Sequence, residues 1–277
     1  MALLIRNVVL IGLLMQANFL WADIYRNQDA NGNISFSDQS SDNATRVEPD
    51  VQSYRYKHQV AKVYDGDTIV LKNGEKVRLL GINTPEIESR YRQSEAGGQA
   101  AKKWLQDKLE QGQVFLEYDQ QKRDKYKRLL AHLFLPSGEH LNKSLLEKGL
   151  AVLSIIPPNL RHVDDLIKAE RQAQMQDLGI WSMAGYQIYP VSELSKETTT
   201  GWHRFSATPT KITESRKYIR LILDKNVDLR IKKSNLELFP KLDSYIGHPI
   251  EIRGWASRSK EHYSILVRHP SAIIVRP

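Results

Sequence analysis

The chain has 277 residues, enough for one large or two modest domains with a hydrophobic core of their own. A composition that is 41% hydrophobic and 26% charged is that of a soluble globular protein, and the absence of cysteine excludes thiol nucleophiles, disulfides and cysteine-bound zinc. The formal charge is +8, and its distribution is uneven: residues 205–277 hold 14 Lys or Arg against 7 Asp or Glu, whereas residues 23–204 hold 25 of each. The basic excess in the C-terminal segment points to a polyanionic partner, with a merely solvated basic surface as the alternative.

At the N-terminus, Arg6 precedes an apolar run from Val8 to Met15 that continues patchily to Trp21 and Ala22. The run is too short and too interrupted, at Gln16 and Asn18, for a membrane span. It reads as a signal peptide over residues 1–22, cleaved between Ala22 and Asp23, which predicts a periplasmic or secreted protein. Residues 23–53 read as a short β-hairpin module turned at Asn31-Gly32, followed by a linker from Gln39. The spacing of Tyr25, Asp29, Gly32, Phe36, Ser37 and Asp38 resembles a short module of unknown function found at the start of bacterial envelope proteins. The same stretch fails as an EF-hand, because Gly32 is fourth and Ser40 twelfth in a loop beginning at Asp29.

From Lys57 the pattern alternates as strands, with turns at Asp65-Gly66 and Asn73-Gly74. Glu95 to Leu109 reads as a helix with Ala96, Ala100 and Trp104 on one face, weakened by Gly97-Gly98. Two strands follow at Val114–Tyr118 and Leu129–Leu135, then helices at Leu141–Lys148 and Val163–Gln176. Three strands, a helix, two strands and two helices suit a five-stranded barrel with helices packed around it. Residues 187–204 read as a second linker. Beyond it, strand candidates at Tyr218–Leu223, Pro249–Trp255, Ser264–Val267 and Ala272–Val275 suggest a second small all-β unit over residues 205–277 that could be another OB-like barrel. Its aromatics are interleaved with basic residues, as in Tyr218-Ile-Arg220 and Arg253-Gly-Trp255, a pattern shared by single-strand nucleic-acid platforms and by the edges of ordinary β domains. Glu139-His140 and His58 read as surface residues, and the eight histidines include no HExxH spacing.

Three stretches carry chemistry: Asp65-Gly66-Asp67-Thr68, Arg78 through Asn83-Thr84-Pro85-Glu86, and Asp124-Lys125-Tyr126-Lys127-Arg128. Each alone is a turn, a helix start or a charge run. Phosphodiester hydrolysis, however, needs a hard cation, a base for water and positive clamps on the phosphoryl oxygens. Asp67 and the Asn83-Thr84 pair offer oxygen donors from two loops. Arg78 and Arg128 offer planar guanidinium forks from separate strands, and Glu86 offers a base.

In this order the three stretches, with the closing Leu178-Gly-Ile-Trp-Ser182, resemble the staphylococcal nuclease (thermonuclease) family over residues 56–186. The resemblance implies an OB-fold barrel of five strands with three helices, and an endonuclease that hydrolyses DNA and RNA to 3′-phosphates with calcium as cofactor. It implies that Asp67 and Asn83 contact calcium through their side chains and Thr84 through its carbonyl. Glu86 would orient or deprotonate the attacking water, Arg78 and Arg128 would bind phosphate and stabilise the transition state, and Lys125 and Tyr126 would bind a neighbouring phosphate. Asn83 departs from the Asp usual in the family, removing one negative charge from the metal site. Lys127 departs from the usual Gly. The tyrosines that stack on the nucleotide are not evident in Leu153-Ser-Ile-Ile-Pro-Pro. A nucleic-acid-binding module on the same fold, with catalysis lost, is the rival reading, and the joint presence of Arg78, Glu86 and Arg128 argues against it.

Overall fold

The structure is a computed structural model that describes residues 24–28, 34–37, 45–47, 55–87, 95–195 and 201–276. Its contacts divide the chain into residues 1–52 and 53–277. In the first unit, β1 (Ile24–Gln28) pairs antiparallel with β2 (Ile34–Ser37) on one side and β3 (Thr45–Val47) on the other. β3 falls within the stretch expected to be linker. The Asn31-Gly32 turn and the leader over residues 1–22 lie outside the described residues.

In the second unit, alternating apolar residues close β4 (Arg55–Asp65), β5 (Thr68–Leu71), β6 (Lys76–Leu79), β8 (Gln113–Arg123) and β9 (Leu129–Phe134) into a barrel of order β4-β5-β6-β9-β8. Short β7 (Gly81–Asn83) leaves the barrel to pair with β10 (Val152–Ser154). Ile69, Leu71, Val77, Leu116 and Leu133 fill the barrel and are completely or almost completely buried. Three helices cover it: α1 (Gly98–Lys108), α2 (Leu141–Glu147) and α3 (Val163–Met175). The five-stranded OB-fold barrel with three helices therefore stands as the sequence suggested. α1 begins three residues later than its periodicity implied, because Gly97 adopts a left-handed φ of 95°. Gly98 packs against the loop after β7, where a Cβ would lie 2.7 Å from the Glu86 carbonyl oxygen.

Within the stretch 187–204, expected as linker, the described residues are largely structured. They supply β11 (Ile188–Pro190), which runs parallel to β12 (His203–Ala207), and Trp202 and Arg204 are buried. The chain continues through β13 (Lys211–Glu214), β14 (Tyr218–Asp224), β15 (Val227–Lys232), β16 (Ile250–Gly254), β17 (Ala256–Ser259), β18 (His262–Val267) and β19 (Ile273–Val275). These form two sheets, β11-β12-β16-β19 and β13-β14-β15-β18-β17. Phe205, Leu221, Leu229, Ile231, Ile252 and Ile265 from both sheets share one core, so the C-terminal unit is all-β but is built as two sheets with a common core rather than as a second closed barrel.

This unit is joined to α3 of the barrel domain by one buried ion pair and the polar network around it. Arg253 on β16 donates to Glu170 on α3 (Nη1 to Oε2, 2.6 Å), to Gln174 (2.6 Å) and to Glu251 (2.7 Å). Arg204 forks onto Glu251 (2.8 and 3.1 Å) and donates to the Tyr186 carbonyl (3.0 Å). Trp181 lies beside both guanidinium groups, 5.5 and 5.6 Å from ring centroid to Cζ. Burial raises the Glu251 carboxyl, but the hydrogen bonds and charges of Arg204 and Arg253 outweigh it and hold the group at about 2.

Candidate active site

A cleft of about 530 Å³ opens beside the barrel where the β4–β5 turn, β6, the end of β7 and the β8–β9 hairpin converge. Its lining includes Asp67, Arg78, Asn83, Thr84, Glu86, Tyr126 and Arg128. Seven of the eight residues singled out from sequence are thus together, and Lys125 stands beside them with its ammonium 4.9 Å from the Tyr126 ring.

The turn that presents Asp67 is held from several sides. Asp67 N–H donates to Asp65 Oδ1 at 3.1 Å, and the Leu79 N–H donates to the Asp67 carbonyl at 2.9 Å. Gly66 sits so close to α1 and Thr84 that a Cβ would lie 2.7 Å from both Ala101 Cβ and Thr84 Oγ1. The Asp67 carboxylate accepts from Thr68 Oγ1 (3.1 Å) and the Thr84 N–H (3.0 Å), and pairs with Arg78 Nη1 (2.8 Å). The other Arg78 nitrogen, Nη2, donates to Asn83 Oδ1 at 2.9 Å, and Asn83 Nδ2 donates to the Thr84 carbonyl at 3.0 Å. One guanidinium on β6 therefore ties together side chains from two other chain segments.

Glu86 is fixed through its backbone. Its N–H donates to Glu95 Oε2 at 3.0 Å, and its carbonyl accepts from the Glu95 N–H at 2.8 Å. Glu95, which the periodicity placed inside α1, stands instead ahead of the helix as the clamp for Glu86. Arg128 is oriented by Asp124, which accepts from its Nε (2.8 Å) and its N–H (2.9 Å). The exposed Tyr126 ring lies 5.6 Å from the Arg128 Cζ. Lys127 adopts a left-handed φ of 65°, the conformation that a glycine would take most easily.

Asp65, the first residue of its motif and one to which the sequence assigned no role, lines the same cleft. Burial, and then the charge of Asp67, push its carboxyl up to about 6. Two crowded carboxylates, an amide oxygen and a backbone carbonyl are a set of hard oxygen atoms of the kind a divalent cation takes.

A second polar cluster lies on the β8–β9 side. His132 and His140 share a hydrogen bond of 3.1 Å, and His162 pairs with Glu117 at 3.0 Å. His140, read from sequence as a surface residue, is stacked on Phe134 with centroids 4.4 Å apart. Burial, reinforced by neighbouring histidines, lowers His132 to about 3 and His140 to about 2.

The closed barrel and its acid–arginine cleft define an OB-fold domain of the nuclease type. Residues 76–183 match the family described as staphylococcal nuclease homologue. The thermonuclease of Staphylococcus intermedius is 38% identical over 125 residues, spanning 44% of this chain and 74% of its own. The thermonuclease of Staphylococcus hyicus is 34% identical over 128 residues (45% and 75%), and endonuclease YncB of Bacillus subtilis (strain 168) is 37% identical over 130 residues (45% and 61%). The chain belongs to the staphylococcal nuclease family. These similarities cover less than half of the chain, and the family match ends at residue 183, before the C-terminal sheets.

Proposed function

We propose that the chain is an extracytoplasmic, calcium-dependent endonuclease that hydrolyses DNA, RNA or both with little sequence specificity. The observation that carries this reading is that Arg78 on β6 and Arg128 in the β8–β9 hairpin turn, just before β9, share one cleft with Glu86, while Asp65, Asp67, Asn83 and Thr84 gather oxygen atoms in it. A mere binder of phosphates has no use for a glutamate among them.

Asp67, Asn83 and the Thr84 carbonyl would hold calcium, with Asp65 close by. Calcium, when bound, supplies a Lewis acid for the phosphoryl oxygen. The protein's own groups do the rest. Arg78 and Arg128 fork onto the phosphoryl oxygens from two sides and stabilise the charge that develops there. Glu86, with its backbone clamped by Glu95, takes the proton of the attacking water. Lys125 and Tyr126 take a neighbouring phosphate. The N-terminal run over residues 1–22 supports export by a cleaved signal peptide, which suits a nonspecific nuclease that would otherwise attack its own genome.

Incubating the full mature chain with plasmid DNA and with RNA, in calcium or in a chelator, tests the activity. Cleavage in calcium and none in chelator is expected. Binding without cleavage in either condition would leave only the rival binding module. Mass spectrometry of the native protein tests export, with a mature N-terminus at Asp23 expected.

A further inference from the structure

The outer face of the five-stranded C-terminal sheet carries positive charge that the fold does not neutralise. Strand alternation sends Leu221, Leu229, Ile231 and Ile265 into the core and leaves Tyr218, Arg220, Arg230 and Lys232 on the opposite face. Arg220 and Arg230 are direct partners across β14 and β15, a like-charge pairing that an antiparallel sheet disfavours. Asp228 lies between them with its side chain fully buried. Its Oδ2 accepts from Arg220 Nη1 at 3.2 Å and lies 3.0 Å from His262 Nε2. Its Oδ1 faces Arg230 Nε at 3.8 Å, beyond hydrogen-bonding reach. The two guanidinium groups thus share one carboxylate.

The hydrogen-bonding capacity of this cluster is not used up. Arg220 Nε, Arg230 Nε and Asp228 Oδ1 are all shielded from solvent without a hydrogen-bond partner. The two arginine side chains are nevertheless 37% and 27% exposed, so their outer edges are accessible. The Arg230 guanidinium also lies 5.7 Å from the Tyr218 ring. Residues 211–233 hold eight basic side chains against three acidic ones, so this is the most cationic part of an already basic unit.

We propose that this sheet face, centred on Arg220 and Arg230, is a second nucleic-acid site that binds the phosphodiester backbone of a single strand. Asp228 holds the Arg220 guanidinium, and Ser257 Oγ, accepting from Arg230 Nη2 at 3.0 Å, holds that of Arg230, so less side-chain freedom is lost when a phosphate arrives. Tyr218 beside Arg230 gives an unpaired base a surface on which to stack, as single-strand platforms do. A duplex, whose bases are already stacked on each other, has no use for that surface. The choice of a nucleic acid over another polyanion rests on the nuclease reading of the cleft.

The test measures binding of the full mature chain to poly(dT) in chelator, so that nothing is cut, across a range of salt. One variant combines Arg220→Gln and Arg230→Gln with Asp228→Asn, which leaves no uncompensated charge buried. A second combines Lys211→Gln and Lys232→Gln, both exposed positions whose replacement does not touch the core. Losing two single-strand phosphate contacts lowers the salt slope by about 1.4, so the affinity gained between about 200 and 50 mM salt shrinks about sevenfold. Calcium-dependent hydrolysis of a short oligonucleotide is expected to stay at the wild-type level. An unchanged slope in the folded arginine variant overturns the proposal; if that variant does not fold, an unchanged slope in the lysine variant does so. An equal loss on duplex DNA overturns the single-strand assignment. Plasmid cleavage by the wild type separates this question from the nuclease reading, which stands or falls on that assay alone.

Discussion

Arg78 holds Asp67 and Asn83 at the same time, with Nη1 2.8 Å from Asp67 Oδ2 and Nη2 donating to Asn83 Oδ1 at 2.9 Å. The residue that would clamp phosphate is therefore also the one that balances the crowded carboxylates. Arg78→Ala is expected to lower kcat/KM by roughly 10²–10³, the usual cost of one preorganised charged donor. Arg78→Lys is expected to recover little, because a single ammonium cannot reproduce the two-pronged bridge. Glu86→Ala and Arg128→Ala belong in the same range. Circular dichroism and a thermal melt would establish folding in each case, and full activity in a folded Glu86→Ala protein would remove it from the role of base.

Asn83 caps the Thr84 carbonyl with its amide nitrogen, so one proposed ligand shields another. Asn83→Asp replaces that donor by an acceptor, freeing the carbonyl and adding a negative charge. Half-saturating calcium for activity is expected to fall. A titration showing it unchanged or higher would mean that position 83 does not face the cation.

The Glu170–Arg253 pair is buried on both sides, with side-chain exposures of 3% and 7%. Arg253→Ala leaves Glu170 and Glu251 without that partner in a dry interface. The expected loss is about 3–5 kcal/mol, as for other broken buried pairs. Urea unfolding of the full chain would measure it, and a loss below about 1 kcal/mol, the ceiling typical of exposed pairs, would show that the pair is not buried in solution.

His132 and His140 remain neutral in the fold because their values are lowered to about 3 and about 2. An unfolded histidine takes up its proton near pH 6.5. Below that pH the unfolded chain binds more protons than the folded one, so stability falls as the pH falls, by about 1.4 kcal/mol per pH unit for each histidine. Unfolding free energies measured between pH 7.5 and 5 should show this slope, and His132→Gln with His140→Gln should flatten it. Parallel profiles for the two proteins would rule out the histidines as its source.

The sequence was most legible where local chemistry and local geometry coincide. Asp67, Arg78, Asn83-Thr84 and Glu86 fall in turns and strand ends whose signals are short-range, and the barrel brings them to one cleft. Asp65 was visible in its motif, but its raised carboxyl depends on burial and on Asp67, neither of which shows in a string of letters. Glu95 fits a helical period, yet Gly97 with its left-handed φ starts the helix later and leaves Glu95 ahead of it. The stretch 187–204 reads as linker because β11 is only three residues long and takes its partner, β12, by parallel rather than hairpin pairing. The alliance of Arg253 with Glu170 joins residues 83 positions apart and leaves no periodic trace.

The buried chain of Glu170, Arg253, Glu251 and Arg204 also governs how this protein can be divided. A protease that finds the surface loops is expected to leave one resistant core containing both the barrel and the two sheets, not two separable halves. Cutting the chain after the nuclease domain would likewise strand Glu170 on one piece and Arg253 on the other, each a buried charge without its partner.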